Sequence, residues 1–114
     1  MHEMGTIMYV IRTVNSVCEQ NALQKVKSVT LQVGEVSGIL PEYLQDFWQW
    51  AVSRESLMNG AELVIEPIPA VTRCGNCDSL YATIKYAKVC PECGSDHTWL
   101  ETGNEYNIKE ICAY

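Results

Sequence analysis

The sequence predicts a mixed fold, α+β or α/β in class: a small domain of two helices and a three-stranded sheet, with a zinc-ribbon domain inserted into it. Three observations carry this reading. Apolar residues recur at helical spacing near the start, alternate with polar ones in the next segment, and later give way to two C-x-x-C pairs, Cys74-Gly-Asn-Cys77 and Cys90-Pro-Glu-Cys93. With 114 residues, 47% hydrophobic and 19% charged, the chain can build one core and a smaller satellite, and it is too apolar to be disordered.

Taken in order, Met4, Ile7, Met8, Ile11, Val14 and Cys18 predict an amphipathic helix over residues 3 to 20. Val29, Leu31 and Val33 alternate with Ser28, Thr30 and Gln32, which predicts a strand with one buried face ending near Gly34. Pro41 suits a first helical turn, and Leu44, Phe47, Trp48 and Ala51 carry a second helix to about Glu55. Phe47 and Trp48 are core candidates, whereas Trp50 falls off that stripe and is a candidate for partner contact. Asn59-Gly60 marks a turn, and Ala61 to Glu66 is a second strand ended by Pro67 and Pro69. Thr98-Trp99-Leu100 reads as a ribbon strand. Tyr106 to Cys112 reads as a third strand returning to the first sheet, with a bulge to reconcile Ile108 and Ile111. Residues 1–69 and 104–114 then form the α/β domain, and residues 70–103 the ribbon. Cys18 and Cys112 are expected in the core, and Glu35, Glu42 and Asp46 on solvated faces.

A tetrahedral ion needs four thiolates converging on one point, and two residues between paired cysteines let a tight turn aim both sulfurs there. The segment from Asp78 to Val89 is long enough for a short hairpin to bring the second pair beside the first. Pro91 and Gly94 form turns, and Gly75-Asn76 suits positive backbone angles. Cys74, Cys77, Cys90 and Cys93 are therefore the expected Zn(II) ligands, although the spacing also admits a rubredoxin-type iron.

Six cysteines without an export signal point to a reducing, cytoplasmic setting, and no apolar run approaches the roughly 18 residues of a membrane span. The net charge of −6 repels phosphate backbones. From Arg73 to Glu101 only Arg73, Lys85 and Lys88 stand against Asp78, Glu92, Asp96 and Glu101, so a basic nucleic-acid footprint is missing. No Ser-His-Asp set, phosphate loop or dinucleotide fingerprint supports an enzyme.

Met1-His2-Glu3 is a second constellation able to carry metal chemistry. A terminal amine, the amide nitrogen of residue 2 and its imidazole can close adjacent chelate rings on one ion, and the Glu3 amide can extend the set. Nitrogen donors in one plane suit Ni(II) or Cu(II). These donors must lose protons to bind, so affinity falls in acid.

Beginning Met-His-Glu, carrying C-x₂-C-x₁₂-C-x₂-C, and with Val33-Gly34 after the first strand and Cys93-Gly94 at the second knuckle, the sequence resembles the HypA/HybF family over essentially its whole length. The resemblance implies a nickel metallochaperone for [NiFe]-hydrogenase maturation, with an α/β nickel-binding domain interrupted by a zinc domain. It implies Ni(II) held at Met1, His2 and nearby backbone nitrogens, with Glu3 part of the motif. It also implies delivery with a HypB-like partner GTPase to the hydrogenase large-subunit precursor. His97 matches a histidine just past the last knuckle that reaches nickel in some archaeal members; a surface histidine in a turn is the other reading. One departure stands out. Asp78-Ser79 follows Cys77 where some bacterial members place a histidine, which argues against a histidine link between the metal sites on that side. The alternative to nickel delivery is a zinc-ribbon module binding protein or nucleic acid, its Met-His-Glu start a coincidence.

Overall fold

Helix α1 (Glu3–Gln20) buries Glu3, Thr6, Ile7, Val10, Ile11, Val14 and Cys18 along one face. The computed structural model describes residues 3–114. The expected stripe is corrected at two places: Met4 and Met8 are 37% and 40% exposed. Both lie one row round the helix from the buried set, and a 3.6-residue period fits either row equally well. Strand β1 (Val26–Gly34) buries Val26, Val29, Leu31 and Val33.

Helix α2 (Pro41–Val52) starts at the expected proline and stops three residues before Glu55. It buries Leu44, Trp48, Ala51 and Val52, and the Trp48 indole N–H donates to the Ala61 carbonyl at 2.8 Å. Phe47, expected in the core, is only half-buried. Trp50 is exposed as expected, with the Arg54 guanidinium 4.4 Å from its ring centre. Strand β2 (Glu62–Ile68) runs through Pro67 instead of ending before it.

Next come β3 (Val71–Cys74), β4 (Leu80–Ala82), a single helical turn α3 (Thr83–Tyr86), β5 (Thr98–Thr102) and β6 (Tyr106–Ala113). One sheet has the order β2-β1-β6, the other β4-β3-β5. Val26 N–H donates to the Leu57 carbonyl and Glu35 N–H to that of Ile68, each at 2.9 Å. Both partners advance together, so β1 and β2 run parallel and α2 is the crossover of a βαβ unit. The bonds from Lys25 N–H to Tyr114 and from Gly34 N–H to Glu105 run the other way, so β6 is antiparallel. As the edge of this sheet, β2 accommodates Pro67 because a missing N–H there need not cost a ladder bond. Strand β6 is the other edge, and Cys112, expected in the core, is exposed on it while Ile108 and Ile111 are half-buried.

The chain divides into two compact units. One comprises residues up to Gln32 with Ile39–Glu66 and Asn107–Tyr114, the other Val33–Gly38 with Pro67–Tyr106. No described helix is long and apolar enough to cross a membrane. In the second unit Gly34 meets the backbone of Gly103 and Glu105 so closely that a Cβ on it would overlap both. Gly103, at φ 106°, packs in turn on Ala70. The Glu35 carboxylate, expected only to be solvated, accepts the Ala70 N–H at 2.9 Å.

Candidate metal centre

Strand β3 is the centre of the ribbon. Arg73 faces Leu80 of β4 on one side and Trp99 of β5 on the other, with a register shift between Val71 and Thr72. Cys74 ends β3, and the chain turns at once through Cys77. The expected hairpin between the knuckles does not form. Strand β4 pairs back on β3 instead, and α3 then carries the chain to Cys90.

Both knuckles close in the same way. Asp78 N–H donates to the Cys74 carbonyl and Cys74 N–H to that of Ser79; Gly94 N–H donates to the Cys90 carbonyl and Cys90 N–H to that of Ser95, all at 2.9 Å. The residue after each second cysteine takes the left-handed conformation, Asp78 at φ 64° and Gly94 at φ 75°. This corrects the expectation for Gly75-Asn76, neither of which has positive φ. Gly75 is required for space instead: a side chain there would strike the imidazole of His97 and the indole of Trp99. Asp78 is tolerated in that conformation as a short polar residue, and Arg73 pairs with it at 2.7 Å and with Glu101 at 2.6 Å.

The four sulfurs lie within 4.8 Å of one another, with Cys74–Cys93 and Cys77–Cys90 each at 3.6 Å. A tetrahedron with metal–sulfur bonds of about 2.3 Å has edges of about 3.8 Å, so the cluster has the size of a tetrathiolate site. Cys74 and Cys90 are buried against Tyr81, while Cys77 and Cys93 are exposed. The sulfurs also receive the hydrogen bonds that thiolates want. Asn76 N–H reaches Cys74 Sγ and the Asn76 side-chain amide reaches Cys93 Sγ, both at 3.4 Å; the Ser79 hydroxyl lies 3.1 Å from Cys77 Sγ. The Asn76 amide, aided by Ser95 N–H, brings the Cys93 thiol down to about 6, and the Ser79 hydroxyl lowers that of Cys77. Burial pushes Cys90 up to about 11, so its proton leaves only when a cation arrives to compensate. The donor set is all sulfur, which suits Zn(II) or a rubredoxin-type iron and excludes hard oxygen-seeking ions.

Glu3 opens α1 and is 2% exposed. Its carboxylate accepts the N–H of Leu40, the residue preceding the first turn of α2, at 2.9 Å. That bond, with Glu3's own N–H, holds the carboxyl below the usual carboxylate range. One carboxylate thus serves the N-terminal ends of two helices, where their dipoles favour negative charge. No spacing rule announced this pairing across 37 residues. Met1 and His2 lie outside the described residues. His97 is exposed in the ribbon unit; its carbonyl accepts the Gly75 N–H at 2.7 Å and its ring meets Trp99 edge-on, centroids 6.1 Å apart.

Comparison with known proteins adds the family. The profile of HypA, described as hydrogenase/urease nickel incorporation, metallochaperone, matches residues 1–113. The chain belongs to the HypA family. Its similar relatives include the hydrogenase maturation factor HypA of Chlorobaculum parvum, 36% identical over 111 residues, and that of Geotalea uraniireducens, 33% identical over 112; each alignment covers 97% of both chains. The fold is similar to that of the Ni metallochaperone HypA from Helicobacter pylori in solution, with a TM-score of 0.73 at 19% identity over 99% of this chain and 97% of the other. HypA proteins serve nickel incorporation in hydrogenase maturation, and their work is metal delivery rather than catalysis.

Proposed function

We propose that this HypA-family chain binds Ni(II) at its N-terminus through Met1, His2 and adjacent backbone nitrogens, with Glu3 as the residue that holds the motif, and passes the ion on by ligand exchange. The observation that carries this is the family match over residues 1–113 in a chain that opens Met1-His2-Glu3. The Glu3–Leu40 bond supports it, since it ties the third residue of the motif to the start of α2. In this reading residues 1–69 and 104–114 are the nickel-binding domain and residues 70–103 the ribbon. Cys74, Cys77, Cys90 and Cys93 hold a structural Zn(II), which neutralises thiolate charge and locks both knuckles without leaving an open coordination position. His97 supplies a further nickel donor. The partners are a HypB-like GTPase and the [NiFe]-hydrogenase large-subunit precursor, with no nucleic acid and no membrane, and the setting is cytoplasmic.

Nickel titration of chain with a native, untagged N-terminus tests this directly. His2→Ala should abolish stoichiometric Ni(II) binding and leave zinc content and circular dichroism unchanged. Residues added before Met1 turn the terminal amine into an amide that is harder to deprotonate, and should weaken binding sharply. Near-native affinity in either protein would falsify the N-terminal site. Metal analysis and a visible spectrum separate zinc from iron, and a red protein would displace the zinc assignment.

A further inference from the structure

The ribbon unit carries an apolar surface that neither metal site uses. Ile84, on the single turn of α3, is 68% exposed, and Tyr86 and Val89 beside it are 40% and 53% exposed. Ile84 stands between two open clefts of about 570 Å³ each, one lined by Val36 and Leu100 and the other by Leu80 and Tyr81. An apolar ridge between two apolar clefts, left facing water, is the form of a binding surface rather than of an idle one.

Its charge sets it apart from the rest of the chain. The protein has 14 acidic residues against 8 Lys and Arg, yet the residues bracketing this ridge are Lys85 and Lys88. Arg73, the other Lys or Arg of the unit, is taken up by Asp78 and Glu101. Among the described residues neither lysine has a carboxylate partner: the Lys85 ammonium lies 5.5 Å from the Tyr86 ring centre, and Lys88 lines the first cleft. Asp96 lines that cleft too, and Glu35 the second, but the Glu35 carboxylate is engaged by Ala70 N–H. Two ammonium groups and an apolar ridge are thus offered together.

We infer that the α3 ridge is a docking surface for an acidic, apolar-faced segment of a partner protein. Ile84, Tyr86 and Val89 supply the apolar contact, and Lys85 and Lys88 meet the partner's carboxylates. A nucleic-acid backbone would use the two ammonium groups but leave both clefts empty. Charge pairs at a rim steer encounter and set partner choice, so binding here is sensitive to salt. The inference rests on the proposed maturation role only for the choice of proteins to test.

The test places a photo-crosslinking residue at position 84 of the full-length, zinc-loaded chain. This protein is mixed with purified partner GTPase, purified hydrogenase large-subunit precursor and duplex DNA, then irradiated, and the adducts are mapped by mass spectrometry. The expected adduct is to an acidic, apolar segment of the GTPase or the precursor. Lys85→Glu with Lys88→Glu should weaken that complex by about tenfold or more, with zinc content and Ni(II) titration unchanged. Adducts only to a second copy of the chain, to a basic segment or to DNA, no adduct at all, or native affinity in the double variant would overturn the inference. Intact nickel binding alongside that failure would leave the N-terminal site standing, since His2→Ala tests it separately.

Discussion

Removing the Cys93 thiolate is the cleanest perturbation of the ribbon site. Its sulfur lies 3.6 Å from that of Cys74 and takes a hydrogen bond from the Asn76 side chain, but the residue is exposed, so Cys93→Ala removes a ligand with little packing. If the four thiolates share the binding free energy of a structural zinc site equally, losing one corresponds to about two to three decades of affinity. A water molecule taking the vacant position recovers part of this, so about a hundredfold loss is expected. Cys90→Ala makes the control, because Cys90 is buried with Cys74 and Tyr81. It should lose zinc similarly and should also lower the melting temperature of the metal-free protein, which Cys93→Ala should not. Competition with a chromophoric chelator reads the affinity, and thermal denaturation after zinc removal reads the packing. If Cys93→Ala kept zinc within about threefold of the native affinity, the tetrathiolate assignment would be wrong. Cys74→Ala and Cys77→Ala should each lose zinc as well and loosen residues 74–100 while the α/β unit survives.

Zinc affinity should also report the Cys93 proton. Cys93 is a thiolate above about pH 6, so zinc displaces no proton from it there, whereas below that value one must leave; the slope of log affinity against pH should therefore steepen by about one as pH falls through 6. A slope constant across that range would contradict the Asn76 and Ser95 hydrogen bonds. Gly34→Ala places a Cβ against backbone atoms of Gly103 and Glu105 that cannot swing away, and should cost about 3 kcal/mol, or about 10 °C in melting temperature. Trp48→Phe leaves the Ala61 carbonyl without its donor and opens space in the core; denaturant titration should show a loss of about 2 kcal/mol. Glu3→Ala should speed hydrogen exchange at the Leu40 amide and Glu3→Gln should do so less, because Gln keeps an acceptor oxygen; equal exchange in all three proteins would remove the Glu3–Leu40 bond from the account of the N-terminus.

Local chemistry was legible in the sequence. The helical period placed α1 and α2, alternation placed β1, and the C-x-x-C spacing named four sulfurs that lie within 4.8 Å of one another. Each depends on neighbours a few residues away, which is the range over which propensity, turn geometry and ligand spacing act. The errors fell where a residue's environment is built by distant segments. Met4 and Met8 fit the helical period as well as the buried row does, and only the packed core selects between the two rows. Pro67 and Cys112 depended on which strands are edges, a property of sheet order that no single strand carries. Gly75 looked like a turn glycine, yet its constraint comes from His97 and Trp99, more than twenty positions along. The bond of Glu3 to Leu40 was likewise not legible, because it arises only once two helices are packed start to start. Composition and spacing thus named the candidate metal ligands, while long-range packing decided which faces remain open, because burial belongs to the assembled core and not to any residue's own neighbourhood.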